Sequence, residues 1–284
     1  MNTKIFILGA GKPHHGEKHS ALDVIPDDSQ ALDWTKQVLA HLNLENNFVT
    51  GYQASEIQAA YPELNYHNNS DWETTKSGWS FLISMPSGNC DCLVLYSDVL
   101  HRTHNIDHML DCDADVAVAI DTNWRNRFTD RSLSDQARCE KVCTKDSLVT
   151  LLGSNINIEI ANAEFTGLAW FSSKSLEILK EIYNESSPDL NYLHNSSISD
   201  LVELLRKQGL NIKAVDVNGD WAELNEPADI ARFALGTKAQ TLKRLRPMVS
   251  KSRIEDQFSF TVEEWNANSK LIMAELNQCF SDTK

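Results

Sequence analysis

The sequence predicts an α/β protein built on a mostly parallel, Rossmann-like doubly wound sheet, with a helical extension at its C-terminal end. Three observations carry this. Ile5–Leu8, Cys92–Tyr96 and the run inside Asp115–Asp121 are short and nearly all apolar, as strands buried on both faces are. Segments with helical spacing separate these runs, and strands that alternate with helices imply parallel neighbours. The first run stops abruptly at Gly9-Ala10-Gly11. Glycines there let backbone N–H groups approach an anion closely and form a nest for phosphate.

The elements follow in order. Ser29–Leu42 reads as a helix, with Leu32, Val38, Leu39 and Leu42 near one face and Asp27, Asp28 or Ser29 as its cap. Phe48–Thr50 is a strand closed by Gly51, Ala54–Ala60 a helix stopped by Pro62, and Leu64–His67 a further strand. Trp79–Ile83 reads as a buried helix, and Cys92–Tyr96 as a buried strand that ends in Ser97-Asp98. A helix near Ile106–Leu110 leads to the strand at 115–121. From about 140 the pattern changes to short strand-like pieces at 141–144, 148–152 and 165–171. Helices at 173–183 and 198–208, a strand at 212–217 and a helix opened by Pro227 complete a first domain, 1–235. Residues 236–284 differ: 237–246 is basic and helical, and 267–280 is an amphipathic closing helix.

Of the 284 residues 42% are hydrophobic, enough to bury a substantial core. The formal net charge of -14, from 40 acidic and 26 basic residues, makes nucleic acid and anionic membranes poor partners. A phosphate ligand must then be met by a few placed cations, by glycine amides or by a divalent metal. Cys90-x-Cys92 and Cys139-x-x-x-Cys143 lack the spacing of a structural zinc site, so the six cysteines are expected as reduced thiols. No signal peptide and no apolar run of about 18 residues is evident, so the expected location is cytoplasmic.

In a doubly wound sheet ligands sit beyond the carboxyl ends of the strands, which places Gly11 and Asp98 on one edge. Asp98 is suited to hold Mg²⁺, which takes one or two carboxylates plus phosphate oxygens, but equally to cap a helix. Glu223 and Asn225 alternate, so on a strand they share a face; the alternative is a solvated strand end before Pro227. His101, His104 and His108 fit one helix face and are expected as surface histidines, since no further ligand accompanies them. Asp111–Asp115 lacks the glycine and terminal glutamate of a calcium loop and reads as a solvated turn.

Taken in order, the glycine loop, the strand ending Tyr96-Ser97-Asp98, Glu140-Lys141, Glu164-Phe165-Thr166-Gly167 and Trp221-Ala222-Glu223-Leu224-Asn225 resemble the sugar-phosphate nucleotidyltransferase superfamily. The resemblance runs from Lys4 to about Leu235 and is nearest to the phosphocholine and aminoethylphosphonate cytidylyltransferase branch. It implies that Leu8, Gly9, Ala10 and Gly11 wrap the nucleotide phosphates, and that Gly51, Asn69 and Ser80 form the base pocket. It implies Mg²⁺ on Asp98, Glu223 and Asn225, Lys141 on the acceptor phosphate, and Glu164 in the acceptor segment. The usual loop arginine is absent and Ser20 stands where the resemblance expects a lysine, so Lys12 or Lys18 must supply that charge. The stretch at 236–242 resembles the junction of such a domain to an ATP-grasp kinase module, which implies a kinase partner or fused domain; it also fits a helical brace.

The expected activity is transfer of a nucleotidyl group, with CMP from CTP favoured, to a small phosphate- or phosphonate-bearing metabolite. A non-catalytic nucleotide-binding or regulatory module that has lost part of the loop signature is the alternative. A glycosyltransferase is disfavoured, because no Asp-x-Asp ends the strand at Asp98.

Overall fold

The computed structural model describes residues 3–13, 16–26, 28–128, 136, 139–185, 190–224, 227–235, 241–242, 245–246, 251, 253–254, 257–260 and 262–280. The chain divides into two units, Met1–Ile230 and Ala231–Lys284. In the first, strands β1 (Thr3–Gly9), β2 (Asn46–Thr50), β3 (Asn65–Asn68) and β4 (Asp91–Tyr96) form a parallel wing in the order β3-β2-β1-β4. The sheet continues through β9 (Ala163–Phe171), β6 (Val116–Asp121), β10 (Ile212–Asp216), β8 (Leu148–Gly153) and β7 (Lys141–Lys145). A separate antiparallel pair joins β5 (Val99–Leu100) to β11 (Ala222–Glu223).

The expected mostly parallel, plainly Rossmann-like sheet is corrected here to a mixed one. β9 enters antiparallel between β4 and β6, and β7 and β8 form an antiparallel pair. β7 also pairs with the start of β9, so β9, β6, β10, β8 and β7 close a ring of pairings. The β7–β8 pairing follows from local chain length. The two strands are close enough in sequence to pair directly, whereas a parallel neighbour needs a crossover of a dozen or more residues.

Alternation along the strands sorts the apolar side chains onto two faces. Phe6, Leu8, Val94, Val118 and Phe171 face the helices Ser77–Ser84, Ser173–Glu185 and Ile198–Lys207. Ile5, Ile7, Leu93, Leu95 and Trp170 face Ala31–Leu39, Ala54–Ala60 and Thr103–Leu110. Both faces are covered, as the near-continuous apolar runs require. Each fully buried Leu, Ile or Phe here contributes about 1.5–3 kcal/mol relative to exposure. Gly78 is fixed by packing: a Cβ would lie 2.5 Å from the Ser196 carbonyl oxygen, so only glycine lets the helix Ser77–Ser84 approach the 196–197 turn.

In the second unit the helical stretch Val262–Cys279, broken by a kink at Asn268, covers the expected closing helix, and most of the basic segment 237–246 lies outside the described residues. No helix among the described residues is long and apolar enough to cross a membrane. None of the six cysteines is in a disulfide.

Candidate active site

The carboxyl ends of β1 and β4 open into a cleft of about 410 Å³. Its rim begins with Leu8, Gly9, Ala10, Gly11 and Lys12, and Tyr96, Ser97 and Asp98 follow from the adjacent strand. Parallel pairing of β1 with β4 brings these ends side by side, and the Ser97 N–H donates to the Leu8 carbonyl at 3.0 Å. Gly9 is required here because a Cβ would strike the Phe48 ring at 2.3 Å.

His19, buried at the foot of the glycine loop, straps the loop to the strand. Its Nδ1 accepts the Ala21 N–H at 3.1 Å, so Nε2 carries the proton and donates to the Gly9 carbonyl at 2.7 Å. Burial lowers its pKa and favours this neutral form. Sequence reading missed this role, because a histidine beside Ser20 gives no sign that it folds back ten residues. Ser20 lines the cleft without a charge.

Gly51 lies behind the loop, where a Cβ would be 2.6 Å from the Ala10 carbonyl oxygen and 2.7 Å from Trp72. Asn69 donates to Ser80 Oγ at 2.9 Å and to Thr75 Oγ1 at 3.0 Å, and it accepts the Asp71 N–H. Ser80, Thr75 and Trp72 line the cleft, while Gly51 and Asn69 support that wall from behind. Of the three residues expected around the base, Ser80 lines the cleft, while Asn69 and Gly51 do not and instead contact Ser80 and Trp72, which do.

Asp98 and Glu223 come together through the β5–β11 pair, where Glu223 lies opposite Val99 and the Leu224 N–H donates to the Asp98 carbonyl at 2.8 Å. Burial, and then the Glu223 charge, push the Asp98 carboxyl up to about 7. Two hard carboxylates that disfavour each other's charge suit one divalent cation. No cluster of three or more acidic, histidine or cysteine ligands occurs among the described residues. Asn225 lies outside the described residues.

Arg127 is the residue that the sequence concealed most fully. Its buried guanidinium donates to Glu164 at 2.9 Å and to Asp229 at 3.0 Å, lies 3.7 Å from Glu223, and stacks 3.7 Å over the Trp221 ring. Glu164 is thus engaged in a buried ion pair. Lys141 is 2% exposed, donates to the Cys139 carbonyl at 3.1 Å, and does not line the cleft. Its neighbour Glu140 does, bonded to Ser199 and to the Tyr96 hydroxyl, with its pKa raised by burial. Lys12 lines the cleft with its ammonium 5.7 Å over Tyr52, whereas the exposed Lys18 does not line it. Lys76, unremarked in the sequence, is the second lysine of the cleft wall.

The expectation of three surface histidines is corrected at His101. The helix begins at Thr103, which leaves His101 in the turn before it. There it is buried, stacks on Trp221 and bonds to the Thr166 carbonyl at 3.1 Å. Burial drives its pKa down to about 4, so it is a neutral core histidine.

No protein-family model matches the chain. In sequence it is similar to a CTP:phosphoglutamine cytidylyltransferase of Campylobacter jejuni subsp. jejuni, 20% identical over 155 residues. That match spans 53% of this chain and 61% of the relative, less than two thirds of its length. Among solved structures the fold is similar to the inositol-1-phosphate CTP transferase of T. maritima, with a TM-score of 0.61 and 15% identity over 84% of this chain and 98% of the other. It is also similar to the CTP:phosphocholine cytidylyltransferase of Streptococcus pneumoniae, with a TM-score of 0.56 and 12% identity over 82% and 97% of the two chains. The resemblance drawn from the motifs is borne out: the architecture is the mixed α/β fold of sugar-phosphate nucleotidyltransferases.

Proposed function

We propose that this chain transfers a nucleotidyl group, CMP from CTP, to a small phosphate- or phosphonate-bearing metabolite and releases pyrophosphate. The observation that carries the reading is the convergence of the glycine loop, Lys12 and Asp98 on one cleft at the strand ends. The similarity to CTP-using relatives supports it.

In the reaction, an oxygen of the acceptor's phosphate attacks the α-phosphorus of CTP in line. A new P–O bond forms, the α–β anhydride bond breaks, and the electron pair leaves on pyrophosphate. Such chemistry asks the protein for positioning and charge neutralisation. The loop backbone from Gly9 to Gly11 cradles the triphosphate, and Lys12 neutralises the departing pyrophosphate. The wall of Trp72, Thr75 and Ser80, backed by Asn69 and Gly51, receives the base. Asp98 and Glu223, with Asn225, would hold Mg²⁺, whose chemistry there is to neutralise phosphate charge. Arg127 keeps Glu223 and Glu164 in place from behind.

Pyrophosphate release, measured with each of the four NTPs against a panel of phosphoesters and phosphonates, tests the reading. Release that needs both CTP and an acceptor supports transfer. Ser20 in the place of the expected lysine favours a second reading, a nucleotide-binding module without turnover. Saturable CTP binding with no release under any pairing would establish that alternative.

A further inference from the structure

An acceptor phosphate entering the cleft needs a cation, and the lysine that the resemblance assigns to it does not line the cleft. Lys141 is buried, and its ammonium donates to the Cys139 carbonyl. Among the described residues lining the cleft, two carry positive side chains, Lys12 and Lys76. They stand on different elements. Lys12 follows the glycine loop, while Lys76 immediately precedes the helix Ser77–Ser84, next to Ser77 and close to the 196–197 turn.

The backbone of Lys76 is held on both sides. Its N–H donates to the His194 carbonyl at 2.9 Å, and its own carbonyl accepts the Ser80 N–H at 3.1 Å. Its side chain is exposed. A fixed Cα carrying a solvated, flexible stem lets a compact ammonium follow a phosphate oxygen. The need for it is electrostatic, because Asp98, Glu140 and Asp200 also line the cleft and would repel an unaccompanied anion.

We propose that Lys76, which follows Thr75 at the edge of the wall that receives the base and to which the resemblance gives no role, is the cation that receives the acceptor's phosphate or phosphonate group. Lys12 is then left to the triphosphate. The assignment rests on the nucleotidyl-transfer reading and adds to it the residue that recognises the acceptor's anionic end.

The probe is inorganic phosphate, titrated with CTP present and again without nucleotide, and followed by amide NMR shifts. CTP affinity is measured separately on each variant. Lys76→Met is expected to weaken phosphate binding about tenfold or more, the scale of one charge-assisted hydrogen bond. Lys76→Arg should restore most of the loss, and neither change should alter CTP affinity. Phosphate binding that survives Lys76→Met overturns the assignment, and so does a loss confined to CTP, which would give Lys76 to the nucleotide. A folded Lys141→Met that loses phosphate while Lys76→Met keeps it returns the role to Lys141. Failure of the wild-type chain to bind CTP strikes the nucleotidyl reading alone, because the nucleotide-free titration repeated on Lys12→Met, which lacks the loop cation, still decides whether Lys76 holds phosphate.

Discussion

The backbone carbonyl of Asp98 accepts the N–H of Leu224 at 2.8 Å, and this bond sets the Asp98 carboxyl beside that of Glu223. A strand end and a distant short strand thereby share one site. The pairing of β5 with β11 does for these acids what parallel pairing of β1 with β4 does for the glycine loop.

Asp98→Ala should cut nucleotidyl transfer by at least about a hundredfold, the scale of losing one electrostatic stabiliser. Far-UV circular dichroism should be unchanged, since the elements around it are held by backbone pairing. Near-normal pyrophosphate release in this variant would remove the metal role from Asp98.

The raised Asp98 pKa makes a signed prediction about pH. The folded value, about 7, lies above the ordinary carboxyl value of 3.8, so the folded state binds this proton more tightly. Its stabilising contribution is complete below about pH 4 and is lost as pH rises toward 7. Asp98→Asn should therefore match wild type in Tm near pH 4 and exceed it at pH 8. Mg²⁺ should raise the wild-type Tm at pH 8 and leave that of Asp98→Asn unmoved. A parallel pH profile for both proteins would show that Asp98 ionises normally.

CTP should stabilise the protein more than ATP in a thermal-shift series with Mg²⁺. The preference rests on the proposed use of CTP, with the base received by the wall of Trp72, Thr75 and Ser80 that Asn69 braces. Equal shifts with both nucleotides would cancel the preference for a pyrimidine.

Lys12→Met should lower kcat about tenfold or more, while Lys18→Met should be silent. Only the first of these residues lines the cleft. The reverse ranking in a pyrophosphate-release assay would move the loop cation to Lys18.

Arg127→Met should destabilise the fold by about 3–5 kcal/mol, because it leaves buried carboxylates without their counterion. Urea denaturation at neutral pH measures this. A change below about 1 kcal/mol, the scale of an exposed pair, would mean that Glu164 and Asp229 find other partners without cost.

What the sequence determined by itself is local. Apolar runs bounded by Gly, Pro and Asp mark most of the strands, because a strand buried on both faces has to be apolar at consecutive positions. Gly9 and Asp98 were legible as strand-end residues for the same reason, and helical spacing located the helices at 54–60, 198–207 and 227–235. The tertiary structure alone decided which segments pair. It inserted β9 antiparallel into an otherwise parallel wing, brought Glu223 to Asp98, buried His101 against Trp221, and drew Lys141 away from the cleft. It also assembled Arg127, Glu164 and Asp229 from a short helix, a strand and a later helix. Spacing along the chain reports which face of its own element a residue occupies. Long-range pairing and charge compensation depend on which elements meet, and that is settled only when the whole core packs.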